Sequence, residues 1–234
     1  KEIARQGIQQ IVAFERQLMP TFIRAQQHGV RVDVDAARSA QEHLTIDIDL
    51  QQRELEDIYG KPINTNSPMQ VRELFRPEKH GNAWRVGNFD IPNTGAGAPS
   101  LGAEVLRSME GDRRAELVLG IRSGIKCRDT FLGGHVIGSA FEGRVFPTIN
   151  QSKGESGGTE SGRISYQSPA LQQLPSRGGP AVQMIKSVFL PDEGQKWVSY
   201  DMNSFEVRVA AHYFDSPQIN AAYEQDELTD FHQQ

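Results

Sequence analysis

Apolar residues at Ile8, Ile11, Val12, Leu18, Phe22 and Ile23 recur at three-to-four spacing, which predicts a helix over Lys1 to His28. Pro20 lies inside that run and is expected to kink or split it, because proline removes a helix hydrogen bond. HGVRVDVD (His28–Asp35) reads as a helix stop, a short strand and an aspartate cap. Ala36 to Tyr59 then reads as a second long helix with Leu44, Ile48, Leu55 and Ile58 as its buried stripe. Two long helices joined so closely are expected to pack antiparallel. Within Lys61–Phe75, Ser67 is placed to cap a helix that Pro68 opens.

Arg76 to Ser100 is rich in Gly, Pro and Asn and reads as loop. Leu101–Arg107 and Arg113–Phe131 read as short helices, and Gly133–Gly143 as a glycine-rich break. From Arg144 the pattern changes to short strands and turns. Strands are expected near Arg144–Thr148, Ile185–Leu190 and Lys196–Asp201, with Gly154–Gly162 a flexible loop between the first two. Helices are expected over Ser204–Tyr213 and Asn220–Phe231. The fold class is therefore α+β, a helical first part and a strand-bearing second part divided near Ala140.

Composition narrows this little. The 234 residues suit one large domain or two small ones, and 37% hydrophobic with 24% charged residues is the profile of a soluble globular protein. No apolar run approaches the ~20 residues of a membrane span, so no membrane partner is expected. The opening KEIARQGIQQIVAFERQL is amphipathic and polar, unlike a secretory signal. Cys127 is the only cysteine; there is no intrachain disulfide and no thiolate cage, which fits a reducing compartment. Net charge is −5, so nucleic-acid binding would have to use local basic clusters.

Candidate chemistry concentrates in two segments. In WVSYDMNSFEVRVAAHYF (Trp197–Phe214) the predicted strand ends at Asp201 and the next helix carries Glu206. A strand-end cap with a solvated helix face accounts for the pair, and so does the edge of an active site. A lone carboxylate holds Mg²⁺ poorly without a second one and substrate phosphates. In TESGRISYQSPALQQLPSR (Thr159–Arg177), Arg163, Gln172, Gln173 and Arg177 stand among small residues and prolines. Such a segment is either a surface loop or a groove lining, and Arg and Gln are residue types that read base edges and phosphates.

Together these segments resemble DNA polymerase family A, the group of bacterial DNA polymerase I and several phage replicative enzymes. YDMNSFEVR is similar to the family's palm motif D-Y-S-Q-I-E-L-R; Asp201, Glu206 and Arg208 match, whereas Met202, Asn203 and Ser204 depart from it. SGRISYQSPALQQLPSR resembles T-G-R-L-S-S-x-x-P-N-L-Q-N-I-P-x-R, and INQ (Ile149–Gln151) resembles the F-N-Q upstream of it. INTNSPMQVRELF is similar to the thumb's I-N-S-P-K-Q-L-x-x-x-L-F, and ELTDFH (Glu227–His232) to the G-x-D-I-H that opens the fingers.

The resemblance implies a helical thumb with its lead-in helix over 1–140, a first part of the palm over 141–214, built on an incomplete antiparallel sheet with packed helices, and the start of the fingers over 215–234. It implies that Asp201 ligates two Mg²⁺ ions, that Glu206 gates against a ribose 2′-hydroxyl, and that Arg177 and His232 approach the incoming deoxynucleoside triphosphate. It places Arg163, Gln172, Gln173, Asn150, Gln151 and Thr159 on primer-template DNA. Asn64, Asn66 and Ser67, at a helix N-terminus with free N–H groups, would hold backbone phosphate. Arg122 and Lys126, four residues apart on one helix face, would do the same, or form a solvated basic face.

The family's remaining fingers and palm motifs do not occur in this sequence, so the chain alone is expected to be inactive. They would come from a second polypeptide or from a longer chain of which this is a piece, in the cytoplasm of a bacterial or phage-infected cell. A non-catalytic duplex-binding or replisome-scaffold module is the alternative.

Overall fold

A single glycine sets the entry to the first unit. Helix α1 (Gln9–His28) stops at Gly29, whose φ is 64° and ψ −165°. A Cβ there would sit 2.6 Å from the Val145 carbonyl oxygen and 2.7 Å from the Phe146 ring, so only glycine fits. Strand β1 (Val30–Val32) follows, and the Asp33 carboxylate accepts from the Ala36 N–H at 2.8 Å to cap α2 (Val34–Tyr59). Such a cap stabilises by about 0.5–2 kcal/mol. The predicted stop and strand are present, and an aspartate caps the helix, which starts at Val34, two residues before the expected Ala36.

The computed structural model describes residues 5–155, 157–175 and 179–225. The chain divides into two compact units, Lys1–Leu190 and Pro191–Gln234.

The core of the first unit is the face of α2 carrying Ala37, Ala40, Leu44, Ile48 and Leu55. It packs on α5 (Arg113–Ile125) and on a π-helical segment, Lys126–Ile137, that continues it. Leu117, Val118, Ile121, Leu132 and Val136 are buried from that side. Each such side chain contributes about 1.5–3 kcal/mol when fully buried. Close approach depends on Gly124, where a Cβ would lie 2.8 Å from Ile48 Cγ1.

Several expectations are corrected here. Ile58 is exposed rather than part of the stripe: α5 begins level with Glu54, where Arg113 meets that carboxylate at 2.7 and 2.8 Å, and the last turn of α2 runs past it. Pro20 does not split α1, which is continuous from Gln9 to His28. Nor does α1 form an antiparallel pair with α2. It buries no residue completely and lies instead along β7 (Thr148–Asn150). The expected break from Gly133 is helical as far as Ile137.

The stretch read as loop between Arg76 and Ser100 contains an antiparallel sheet, β2 (Glu78–His80), β3 (Ala83–Val86) and β4 (Phe89–Ile91), preceded by α3 (Pro68–Phe75) and followed by α4 (Ala103–Ser108). Strands of three or four residues around glycine turns leave almost no alternation to read, and β2 is exposed throughout.

A second sheet joins β5 (Ala140–Phe141), β6 (Arg144–Val145), β1 and β9 (Phe189–Leu190) in that order, all antiparallel. Only the last two residues of the expected Ile185–Leu190 strand are extended. Pro180 opens a helix, α6 (Pro180–Ser187), that claims Ile185 for the core. β7 forms a separate hairpin with β8 (Ser165–Gln167).

In the second unit, the expected Lys196–Asp201 strand is not formed. That run is irregular and Trp197, Val198 and Tyr200 are exposed. Alternation makes a strand only where a neighbour supplies the ladder, and among the described residues none pairs with it. α7 (Phe205–Tyr213) follows as expected and packs on α8 (Pro217–Gln225), which begins three residues before the expected Asn220; residues 226–231 of that expected helix lie outside the described residues. No helix among the described residues is long and apolar enough to cross a membrane.

Candidate nucleic-acid interface

The candidate residues of the first unit fall into three groups. The β7–β8 hairpin carries the first, with Asn150 opposite Ser165 and Ile149 opposite Tyr166. Its near side is tied to α1: Gln26 Oε1 accepts from the Ile149 N–H at 2.9 Å, and Gln151 Nε2 donates to the Glu15 carbonyl at 2.6 Å and to the Glu15 carboxylate. The Gln151 amide is thus held by a helix rather than presented outward.

The far side carries Arg163, exposed just before β8. Its backbone is fixed by neighbours. The Thr159 hydroxyl donates to the Arg163 carbonyl at 2.6 Å and accepts from the Ser161 hydroxyl at 3.3 Å. Gln172, on a short 3₁₀ turn (Leu171–Gln173), donates through Nε2 to the Ile164 carbonyl at 2.8 Å and accepts at Oε1 from the Tyr166 N–H at 3.1 Å.

The second group is the start of α3. The Asn64 side chain accepts from the Asn66 N–H at 2.9 Å, Ser67 Oγ accepts from the Gln70 N–H at 3.4 Å, and Gln70 Oε1 accepts from the Asn64 N–H at 2.7 Å. The N–H groups expected to be free for phosphate at Asn64 and Asn66 are therefore occupied by side chains of the turn itself. Arg122 reaches this turn from α5, its Nε donating to the Thr65 carbonyl at 2.7 Å. The residue is half-buried, and burial pushes its guanidinium below the usual arginine range.

Lys126 does not accompany it. Exposed at the start of the π segment, it lies 5.4 Å from the centre of the Phe131 ring and lines a cleft of about 650 Å³ with His43, Asp47, Arg107 and Gln173. That cleft is the third group. Lys126 of the π segment and Gln173 of the 3₁₀ turn both line it, with residues of α2. His43, Asp47 and Arg107 were not singled out from sequence. His43 and Asp47 each sit one position before a buried residue of α2, Leu44 and Ile48, and that offset is the signal that could have found them.

In the second unit Asp201 and Glu206 are both exposed, Glu206 in the first turn of α7. Ser204 between them adopts φ 50°, ψ 33°, a left-handed turn that side-chain-bearing residues seldom take. Arg208 fixes the turn: its Nε donates to the Asn203 carbonyl at 3.0 Å, and its guanidinium stacks 4.1 Å from the centre of the Tyr223 ring of α8. Arg177 and His232 lie outside the described residues.

Among the described residues no group of three His, Cys, Asp or Glu side chains could hold a metal ion. Asp201 is a single carboxylate, and magnesium, which keeps several waters, is held by one or two carboxylates together with substrate phosphates. The described residues therefore do not form a metal site by themselves.

Three comparisons bear on these groups. The sequence model of DNA polymerase family A matches residues 34–234. The chain is 46% identical over 234 residues to DNA polymerase DpoZ of Vibrio phage phiVC8, and 39% identical over 241 residues to DNA polymerase DpoZ of Salmonella phage PMBT28. These alignments cover 99% and 100% of this chain but 37% and 38% of the relatives, so the chain spans well under half of their length. A solved structure described as "POL domain of Pol1 from M. smegmatis complex with DNA primer-template and dNTP" matches 83% of this chain and 32% of that one, with a TM-score of 0.64 and 23% identity. That last likeness concerns the fold.

Proposed function

The chain belongs to DNA polymerase family A, and on that premise we propose that it forms the thumb and the first part of the palm of a DNA-directed DNA polymerase. Its partners are primer-template DNA and deoxynucleoside triphosphates. The remaining fingers and palm groups come from further residues of the same polypeptide or from a second one. The setting is the interior of a bacterial or phage-infected cell.

The observation that carries this reading is the Asp201–Arg208 turn. Two exposed carboxylates flank a left-handed residue, Ser204, in a turn whose Asn203 carbonyl is held by the Arg208 guanidinium. A solvated helix face has no need of such a fixture. In the proposed reaction the primer 3′-hydroxyl attacks the α-phosphorus of the triphosphate and pyrophosphate leaves. The family's divalent ions supply charge neutralisation when the full ligand set is assembled. Asp201 contributes one carboxylate to that centre, and Glu206 restricts space beside the sugar. Arg163 offers guanidinium donors to the minor-groove acceptors of the primer terminus, which occupy similar places in every base pair. Lys126 faces the duplex backbone and Gln173 the template side. Arg177 and His232 approach the triphosphate.

Primer extension by the intact polymerase, compared with its Asp201→Ala variant, tests the proposal. Extension is expected to disappear while primer-template affinity is retained. Equal loss of both would make Asp201 structural, and unchanged extension would remove it from the centre altogether. Duplex binding with no extension by the unaltered protein would favour a scaffold module instead.

A further inference from the structure

Gln172 lies in the segment expected to line the template, yet both ends of its amide bind protein backbone. The two groups it meets, the Ile164 carbonyl and the Tyr166 N–H, flank Ser165, the first residue of β8. It meets one C=O and one N–H of the strand, as a neighbouring strand would. An unpaired strand edge is otherwise open to water and to slippage.

Two residues before Ser165 stands Arg163, whose own carbonyl is held at 2.6 Å by the Thr159 hydroxyl. The backbone that runs from Arg163 into β8 is therefore pinned at successive points: Thr159, in the connection between the two strands, holds the carbonyl of residue 163, and Gln172, beyond the hairpin, holds residues 164 and 166. The other strand of the hairpin is braced independently, through Gln26 at Ile149 and Gln151 at Glu15. An exposed arginine that must meet a target within a few tenths of an ångström gains from such support, because a long side chain multiplies any tilt of its own Cα.

We propose that Gln172 is a positioning residue that acts through Arg163 and not a template-contacting residue. The inference rests on the role given to Arg163 above. The amide is used because it alone among uncharged side chains offers a donor and an acceptor at the spacing of a peptide group. Glutamate cannot replace it, since a carboxylate oxygen would then oppose the Ile164 carbonyl.

Two measurements on the intact polymerase test this. The first is hydrogen exchange at the Tyr166 amide, read without DNA. Gln172→Ala is expected to speed exchange by about tenfold, the equivalent of one hydrogen bond, and Gln172→Glu, which keeps the acceptor, to leave it close to the unaltered rate. The second is extension of matched against mismatched primer termini by Gln172→Ala, Gln172→Glu, Arg163→Ala and the Gln172→Ala/Arg163→Ala double variant. Positioning predicts that both Gln172 variants lose terminus discrimination in the same sense as Arg163→Ala. The double variant should be no worse than Arg163→Ala alone, and primer-template affinity should be unchanged by Gln172→Ala. An unchanged Tyr166 amide in Gln172→Ala would overturn the clamp. Effects that multiply in the double variant would overturn the route through Arg163 and return Gln172 to the template. An unaltered protein that extends no primer overturns the proposed function instead, and is told apart because the amide readout needs no activity.

Discussion

Arg208 joins two helices through one guanidinium: Nε donates to the Asn203 carbonyl ahead of α7, and the plane lies 4.1 Å from the centre of the Tyr223 ring on α8. A cation over an aromatic face contributes about 0.5–2 kcal/mol, more when water is excluded, and the Tyr223 side chain is buried. Tyr223→Phe keeps the ring and should behave like the unaltered protein. Tyr223→Leu keeps bulk but loses the π face, and should destabilise by about 1 kcal/mol and loosen the Asn203–Glu206 turn. Chemical denaturation and amide exchange over 204–209 read both effects. Equal behaviour of the two variants would show that packing, not the cation, matters at this contact.

Glu206 stands in the first turn of α7, where a carboxylate also complements the helix dipole by about 0.3–1 kcal/mol. Truncation to alanine should therefore cost little stability. Its main expected effect is on sugar choice, with ribonucleotide incorporation rising relative to deoxynucleotide while primer-template affinity holds. Competition between the two nucleotide types in single-turnover extension is the direct readout. Undiminished ribonucleotide rejection would take the gate away from Glu206.

Arg122 and Lys126 should part company under mutation despite their spacing. Arg122→Ala removes a charged hydrogen bond to the Thr65 carbonyl, about 1.5–3 kcal/mol, and should lower the denaturation midpoint with little change in the salt slope of DNA binding. Lys126→Ala should leave stability nearly intact and reduce that slope by about one, since an exposed ammonium releases one counterion on meeting a phosphate. Titrations of duplex affinity against salt separate the two, and a reversed outcome would exchange the roles.

His135 gives the fold a pH dependence of known sign. Its Nε2 is buried with no hydrogen-bond partner among the described residues, its ring meets Phe131 edge-on at 5.7 Å, and burial lowers its pKa from the ordinary 6.5. The unfolded chain then binds the proton first. Stability should hold above pH 6.5 and fall as the pH drops from there towards the lower folded value. His135→Leu should flatten that limb in denaturation curves taken at successive pH values. An unchanged limb would assign the acid sensitivity to other groups.

What could be read from sequence was mostly local. Asp33 and Ser67 cap helices because a short polar side chain before an apolar period has one economical use. Arg163 and Asp201 were placed by motif, and both side chains are exposed. Long-range use was hidden. Nothing in the residue type tells that Gln151 and Gln172 bind backbone, or that Arg122 does so across 57 residues. The alternation of Trp197–Tyr200 is a strand signal, but a strand also needs a neighbour to supply its ladder; among the described residues none pairs with this run, and it stays irregular. The sheet at Glu78–Ile91 was missed because strands of three or four residues, each with at most one buried position, carry too little periodicity to read.

The two tryptophans fall one in each unit. Trp84 is half-buried on β3, with its indole N–H 3.2 Å from the Gly97 carbonyl, whereas Trp197 is 59% exposed. The protein thus contains two optical probes of different colour. Trp84 emits from a shielded site and reports the small sheet, while Trp197 emits from water and should shift to shorter wavelength when any surface covers the 197–202 run. Replacing Trp84 with phenylalanine would leave a single lamp on a segment that pairs with no strand among the described residues, and its colour would report any surface that comes to cover it.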